Sequence, residues 1–145
     1  MNENQIRDTL AANIETLEDG LTLVDKEAYI PNPRGTRGFI DLLATDKQGR
    51  WVLIELKRSQ PATREAIHEI IKYAEGVKNH LAVNDNEVRV IIASTEWKEL
   101  IIPFSRFVHD TSMTVKGLFL TIDGTKNITA EEIEAARSVA LDDLM

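Results

Sequence analysis

Ile6, Leu10, Ile14 and Leu17 recur at intervals of three and four, the spacing that lines one face of a helix. The pattern predicts a helix over residues 4–18, closed by "EDGL" with Gly20 as a left-handed cap. The apolar period then shortens. "LTLVDKEAYI" reads as a strand. "PNPRGTRG" carries two prolines and two glycines in eight residues and reads as a loop. "FIDLLAT" is a second strand, "DKQG" a turn and "RWVLIELKR" a third strand. Connections this short predict an antiparallel meander. "PATREAIHEIIKYAEGVKNHL" returns to helical spacing, with Ile67, Ile70, Ile71, Ala74 and Val77 on one face. "EVRVIIAST" is apolar almost throughout, as a central strand covered on both faces would be. "EWKELIIPFSRFVHD" is helical in pattern, but Pro103 predicts a broken helix or two short pieces. "MTVKGLFLTID" is another strand and "DGTKN" a turn. "TAEEIEAARSVAL" reads as a last helix, with Thr129 and Glu132 spaced as a capping box.

The order α-β-β-β-α-β-α-β-α implies an α/β fold with a mixed sheet and helices on both sides. No linker divides it, so residues 1–145 form a single domain in this reading.

Three charges do not suit the strands that hold them. Asp41 interrupts the second strand, and Glu55 and Lys57 interrupt the third. Alternation puts Trp51, Leu53, Glu55 and Lys57 on one face, and Phe39, Asp41 and Leu43 on one face of the neighbouring strand. Paired across "DKQG", the strands would bring Asp41, Glu55 and Lys57 together at one end of the sheet, away from the turn. Two carboxylates and an ammonium make a poor core. They make a good site for a hard divalent cation, Mg²⁺ or Mn²⁺. The plainer alternative keeps Glu55 and Lys57 as solvent-facing residues of an edge strand, with Asp41 at a fraying end.

Charge changes the picture further. The net charge is −7, which argues against a nucleic-acid partner at long range. Yet residues 34–64 hold seven Lys or Arg against three Asp or Glu, and this basic window coincides with the misplaced strand charges. There is no cysteine, which excludes disulfides and thiolate metal sites. No apolar run approaches the length of a membrane span, and the start lacks a signal-peptide pattern. A cytoplasmic location is the expectation. His68, His80 and His109 are scattered, no serine sits in a nucleophile elbow, and "GTRG" lacks the lysine of a phosphate-binding loop. Trp51 and Trp97 read as packing residues.

Asp41, thirteen intervening residues and "ELK" at 55–57 resemble the PD-(D/E)XK nuclease superfamily, whose core is αβββαβ. The chain is most similar to the NucS/EndoMS-like nuclease domain. "ANIETLEDGL", "VDKEAYI", "GFIDLL", "LIELKR" and "EIIKY" stand in the order of that group's motifs over about residues 8–95. The resemblance implies a restriction-endonuclease-like core with an extra C-terminal strand and helix. It implies a metal-dependent endonuclease acting on DNA, with Asp41 and Glu55 as metal ligands and the carbonyl of Leu56 completing the set. Lys57 would position or polarise the attacking water. Tyr73 falls on the tyrosine of the helix motif, Lys72 replaces its arginine, and Glu69 stands where the family carries glutamine. Glu27 matches an acidic position of the preceding strand, and Asp8 a helix acid. With Lys72, Arg34, Arg37, Arg58 and Arg64 are the candidate phosphate contacts. The rival reading is a nuclease-fold module with a weakened site, kept for nucleic-acid binding or protein interaction. The resemblance begins almost at Met1, and the expectation is that the dimerising N-terminal domain of NucS proteins is absent. The expectation is therefore an N-terminal module of a longer protein, or a subunit needing a partner or a homodimer to grip DNA.

Overall fold

A computed structural model describes residues 1–31, 37–57 and 63–135. The helix α1 (Glu3–Ala12) opens on a reciprocal cap: Gln5 N–H donates to the Asn2 side chain, and Asn2 N–H to the Gln5 side chain, both at 2.8 Å. A single 3₁₀ turn at Ile14–Thr16 follows, and Gly20 takes the left-handed conformation at φ +82. The meander comes next, as β1 (Thr22–Pro31), β2 (Arg37–Thr45) and β3 (Trp51–Lys57). Then come α2 (Thr63–Leu81), β4 (Val88–Ser94), α3 (Ile101–Asp110), β5 (Thr114–Ile122) and β6 (Ile128–Ile133).

The six strands form one mixed sheet in sequence order. β1–β2, β2–β3 and β5–β6 are antiparallel, and β3–β4 and β4–β5 are parallel. The two parallel steps use α2 and α3 as crossovers, and both helices cover the same face. There Ile67, Ile70, Ala74, Phe104 and Phe107 pack on Leu43, Leu53, Val90 and Ile92. α1 covers the other face, where Ile6 and Leu10 meet Leu42, Ala44, Val52, Ile54, Leu56 and Ile91. Every residue of β4 is buried, as expected of a strand covered on both sides.

Two expectations need correction. Pro103 does not break its helix. It lies in the first turn of α3, where a backbone N–H has no intrahelical partner to lose. The segment read as a last helix begins as a strand. Ile128–Ile133 pairs with β5 from Ile122↔Ile128 to Gly117↔Ile133, so Thr129 and Glu132 do not form a capping box. The preceding turn explains this. Asp123 Oδ1 accepts from Thr125 N–H and Asn127 N–H at 2.8 and 3.0 Å, which reverses the chain into a hairpin. Residues 136–145 lie outside the described residues.

Candidate active site

The backbone ladder between β2 and β3 runs from Thr45↔Trp51 to Leu42↔Ile54. Just beyond it, the Asp41 side chain takes over. Leu56 N–H donates to Asp41 Oδ2 at 2.8 Å, so the carboxylate stands in for a strand carbonyl. Glu55 lies close enough to Asp41 for its side chain to draw the Asp41 pKa down. Glu55 is 6% exposed. Lys57 Nζ lies 3.5 Å from Glu55 Oε1. The three charges that did not suit their strands are therefore gathered at one end of the sheet, away from the short turn.

Burial pushes the Asp41 carboxyl above the ordinary carboxylate range. The Leu56 N–H, the Glu55 side chain and the Lys57 charge oppose the rise, and Glu3 adds to it. A carboxyl with a raised pKa beside a second, buried carboxyl and a lysine is an arrangement of the kind that marks functional sites.

One part of the alternation fails, and it fails at Asp41. Ile40 and Leu43 join the core under α2, whereas Leu42 joins the core under α1. Strict alternation would put Ile40 and Leu42 on one face. β1 behaves in the same way. Lys26 reaches Asp8 of α1 at 3.2 Å, while Ala28 packs in the core under α2. Phe39, Asp41 and Leu43 therefore do not share a face. Both strands change sides at the rung that Glu27 and Asp41 occupy, and Glu27 there has φ +51.

The other candidate residues make contacts of their own. Glu27 binds Arg7 Nη1 at 2.6 Å, and its side chain is 61% exposed. Asp8 pairs with Arg7 and Lys26. The α1 acid whose charge acts on Asp41 is Glu3. Sequence reasoning missed Glu3 and Arg7; their four-residue spacing on α1 was the available signal. Tyr73 is half-buried against the core under α2, and Lys72 is exposed on α2. Arg34 and Arg58 lie outside the described residues, as do the side chains of Arg37, Arg64 and Glu69. Trp97 is buried, donating from Nε1 to Leu118 O at 2.9 Å, as a packing residue should. An apolar cavity of about 630 Å³ between α2 and α3, lined by Ile67, Ile71, Ile102 and Phe107 among others, contains none of the candidate catalytic side chains.

Residues 2–135 match the family model described as the endonuclease NucS C-terminal domain. The chain belongs to that family. The endonuclease NucS of Methanocaldococcus jannaschii is 30% identical over 92 residues, which cover 63% of this chain and 32% of the relative. Two solved structures share the fold. EndoMS in complex with dsDNA has a TM-score of 0.59 at 22% identity, covering 81% of this chain and 44% of the other. A repair endonuclease from Pyrococcus abyssi has a TM-score of 0.60 at 20% identity, covering 82% and 47%. This NucS-type domain thus spans about a third of the curated relative and less than half of each solved chain. Its mixed six-stranded sheet with flanking helices is the α/β fold of those structures. Among the described residues, no helix is long and apolar enough to cross a membrane.

Proposed function

We propose that this domain hydrolyses DNA phosphodiester bonds as a metal-dependent endonuclease, at the site formed by Asp41, Glu55 and Lys57. The observation that carries the reading is the half-buried Asp41, held by Leu56 N–H at 2.8 Å beside the buried Glu55, with Lys57 Nζ 3.5 Å from Glu55. In a fold with no cysteine and no catalytic serine arrangement, that set is the chemistry the sheet end offers.

The residues fit Mg²⁺ or Mn²⁺. Both side chains present hard oxygen donors, and two withdrawn carboxylates repel each other unless a proton or a cation lies between them. Among the described residues no group of three or more His, Cys, Asp or Glu is arranged to hold a metal. Asp41, Glu55 and the Leu56 carbonyl would therefore hold the ion with water and substrate phosphate oxygens, the sharing usual for Mg²⁺. When bound, such an ion supplies Lewis acidity to the phosphate and lowers the pKa of coordinated water.

The chain's own residues do the rest. Leu56 N–H fixes the Asp41 carboxylate in one orientation. Burial keeps bulk water from screening the charges. Lys57 holds positive charge beside Glu55, where it can orient the attacking water and offset negative charge building on the phosphate. Arg34, Arg37, Arg58, Arg64 and Lys72 complete the basic window and would contact phosphates. Double-stranded DNA as substrate rests on the complex solved for EndoMS. With a net charge of −7, the domain would need a further domain, a partner or a second copy to hold DNA tightly.

The test is cleavage of supercoiled plasmid and of mismatched or branched duplexes with Mg²⁺, Mn²⁺ or a chelator. Cleavage that requires the ion and is lost in Asp41→Ala is expected. Cleavage undiminished by the chelator would overturn the metal role. Ion binding with no cleavage on any substrate would favour the weakened module instead.

A further inference from the structure

We propose that Glu27 is a positioning residue for the carboxylate pair: its left-handed backbone, anchored by Arg7, turns Asp41 out of strand alternation and toward Glu55. The proposal rests on the metal-dependent reading of the site.

The pairing of β1 with β2 supplies the first observation. Lys26↔Leu42 and Ala28↔Ile40 are registered partners, so Glu27 and Asp41 occupy the rung between them. That rung alone is missing from the run that extends to Pro31↔Arg37. It is also where both strands change faces: Lys26 and Leu42 face α1, whereas Ala28 and Ile40 pack under α2. A regular strand cannot do this, because its side chains alternate without exception. A left-handed residue can, and Glu27 at φ +51 is the one on this rung. The exchange frees Asp41 from either core and leaves its carboxylate at the sheet end, on the Leu56 N–H.

The second observation is what holds Glu27. A glutamate gains nothing intrinsic from φ +51, where its Cβ crowds the following carbonyl. Such a conformation persists only when its surroundings over-determine it, and such residues cluster at functional sites. Arg7 provides the hold. Its side chain is 11% exposed and donates to Glu27 Oε1 at 2.6 Å. The guanidinium is itself fixed by Asn4 Oδ1 at 3.3 Å and by Asp8 Oδ1 at 3.2 and 3.3 Å. α1 is in turn anchored by Ile6 and Leu10, 2% and 1% exposed. Lys26, the residue before Glu27, is tied to the same helix through Asp8. The kink is thus clamped to a fixed helix from two sides, with the Glu27 carboxylate taken up by Arg7.

Calorimetric titration with Mn²⁺ and steady-state cleavage separate this role from simple stability. In Glu27→Val, whose branched Cβ forbids φ > 0, Mn²⁺ affinity should fall at least about tenfold and kcat about 100-fold, with KM for DNA within about twofold, because small misplacements of a catalytic group cost that much. Glu27→Gly adopts φ +51 without strain and should keep Mn²⁺ affinity within about threefold. Arg7→Met should weaken Mn²⁺ binding in the wild-type background and add nothing to Glu27→Gly. Wild-type affinity in Glu27→Val, or equal loss in the glycine and valine variants, overturns the proposal. If Glu27→Val does not fold, Glu27→Ala, which also carries a Cβ, decides by the same comparison. A wild-type domain that binds no Mn²⁺ refutes the metal-site reading and the proposal with it. A Mn²⁺-binding wild type without the contrast between variants refutes the proposal alone.

Discussion

Leu56 lends its backbone N–H to Asp41 Oδ2 at 2.8 Å, just past the point where the β2–β3 ladder ends. The central strand of the sheet thereby fixes the orientation of a carboxylate on its neighbour. Asp41→Asn retains an oxygen for that bond, so its melting temperature should stay within a few degrees of wild type. The charge is gone, however. Calorimetry should show Mn²⁺ binding to wild type and none to Asp41→Asn or Asp41→Ala. Equal binding by all three proteins would remove Asp41 from the ligand set.

Lys57 lies beside the pair without belonging to it. Its Nζ is 3.5 Å from Glu55, and its side chain is 27% exposed. Lys57→Ala should lower the cleavage rate by about 10²–10³-fold, the usual cost of losing one preorganised stabilising group, while Mn²⁺ still binds. A single-turnover assay at saturating Mn²⁺ makes the comparison. A mutant as fast as wild type would exclude Lys57 from the chemistry.

The end of the sheet opposite the candidate site is held by charge. Glu18 receives both Nη atoms of Arg89 at 2.7 Å and Lys116 Nζ at 3.0 Å, and Arg89 also reaches Asp46 at 3.2 Å. The bidentate Arg89 contact holds the Glu18 carboxyl well below its usual range, at about 2. A lowered folded-state pKa stabilises the fold above the unfolded-state value near 4.5 and loses that contribution as pH falls toward 2. The contribution is on the order of 2 kcal/mol after allowance for solvent screening. Urea unfolding from pH 6 down to pH 2.5 should show this acid loss in wild type and a shallower one in Glu18→Gln. Parallel curves would show that the cluster contributes little.

Gly117 is a packing requirement. A Cβ at that position would lie 2.7 Å from Trp97 Cη2 and 2.8 Å from Phe104 Cζ, two rings already packed edge to face at 4.9 Å between centroids. Neither ring can withdraw without opening the core under α2. Gly117→Ala should cost about 1–3 kcal/mol by overpacking, read as a lower urea midpoint with an unchanged slope. An unshifted midpoint would mean that the rings move freely.

The sequence shows these elements unevenly. The charges at Asp41, Glu55 and Lys57 stood out because each interrupts an apolar strand. The short turn between those strands then made their meeting a matter of register. The exchange of faces at Glu27 left no trace, since glutamate has no preference for φ > 0 and nothing local announces Arg7 as its anchor. The strand at Ile128–Ile133 was misread for a related reason. "AEEIEAAR" is rich in good helix formers, but the Asp123 turn and the free edge of β5 decide the outcome, and neither belongs to that segment. Gly117 reads as an ordinary glycine in a strand until Trp97 and Phe104 are placed beside it.

The position of the site within a mixed sheet also bears on the order of assembly. Asp41, Glu55 and Lys57 belong to one hairpin, whose partners Leu42↔Ile54 are twelve residues apart in sequence. By contrast, Ile54↔Ile91 joins residues thirty-seven apart and waits for α2 to form and dock. Closing the longer loop costs more chain entropy before any contact repays it. The hairpin should therefore form ahead of the parallel half, with Asp41 and Glu55 brought together while the rest of the sheet is still unpaired. Pulse-labelled hydrogen exchange during refolding should protect the β2–β3 amides before those of β4, and the reverse order would refute this sequence of events. For a time the nascent chain would then hold two facing carboxylates with no core around them, and their mutual repulsion is weakest while water still surrounds the hairpin.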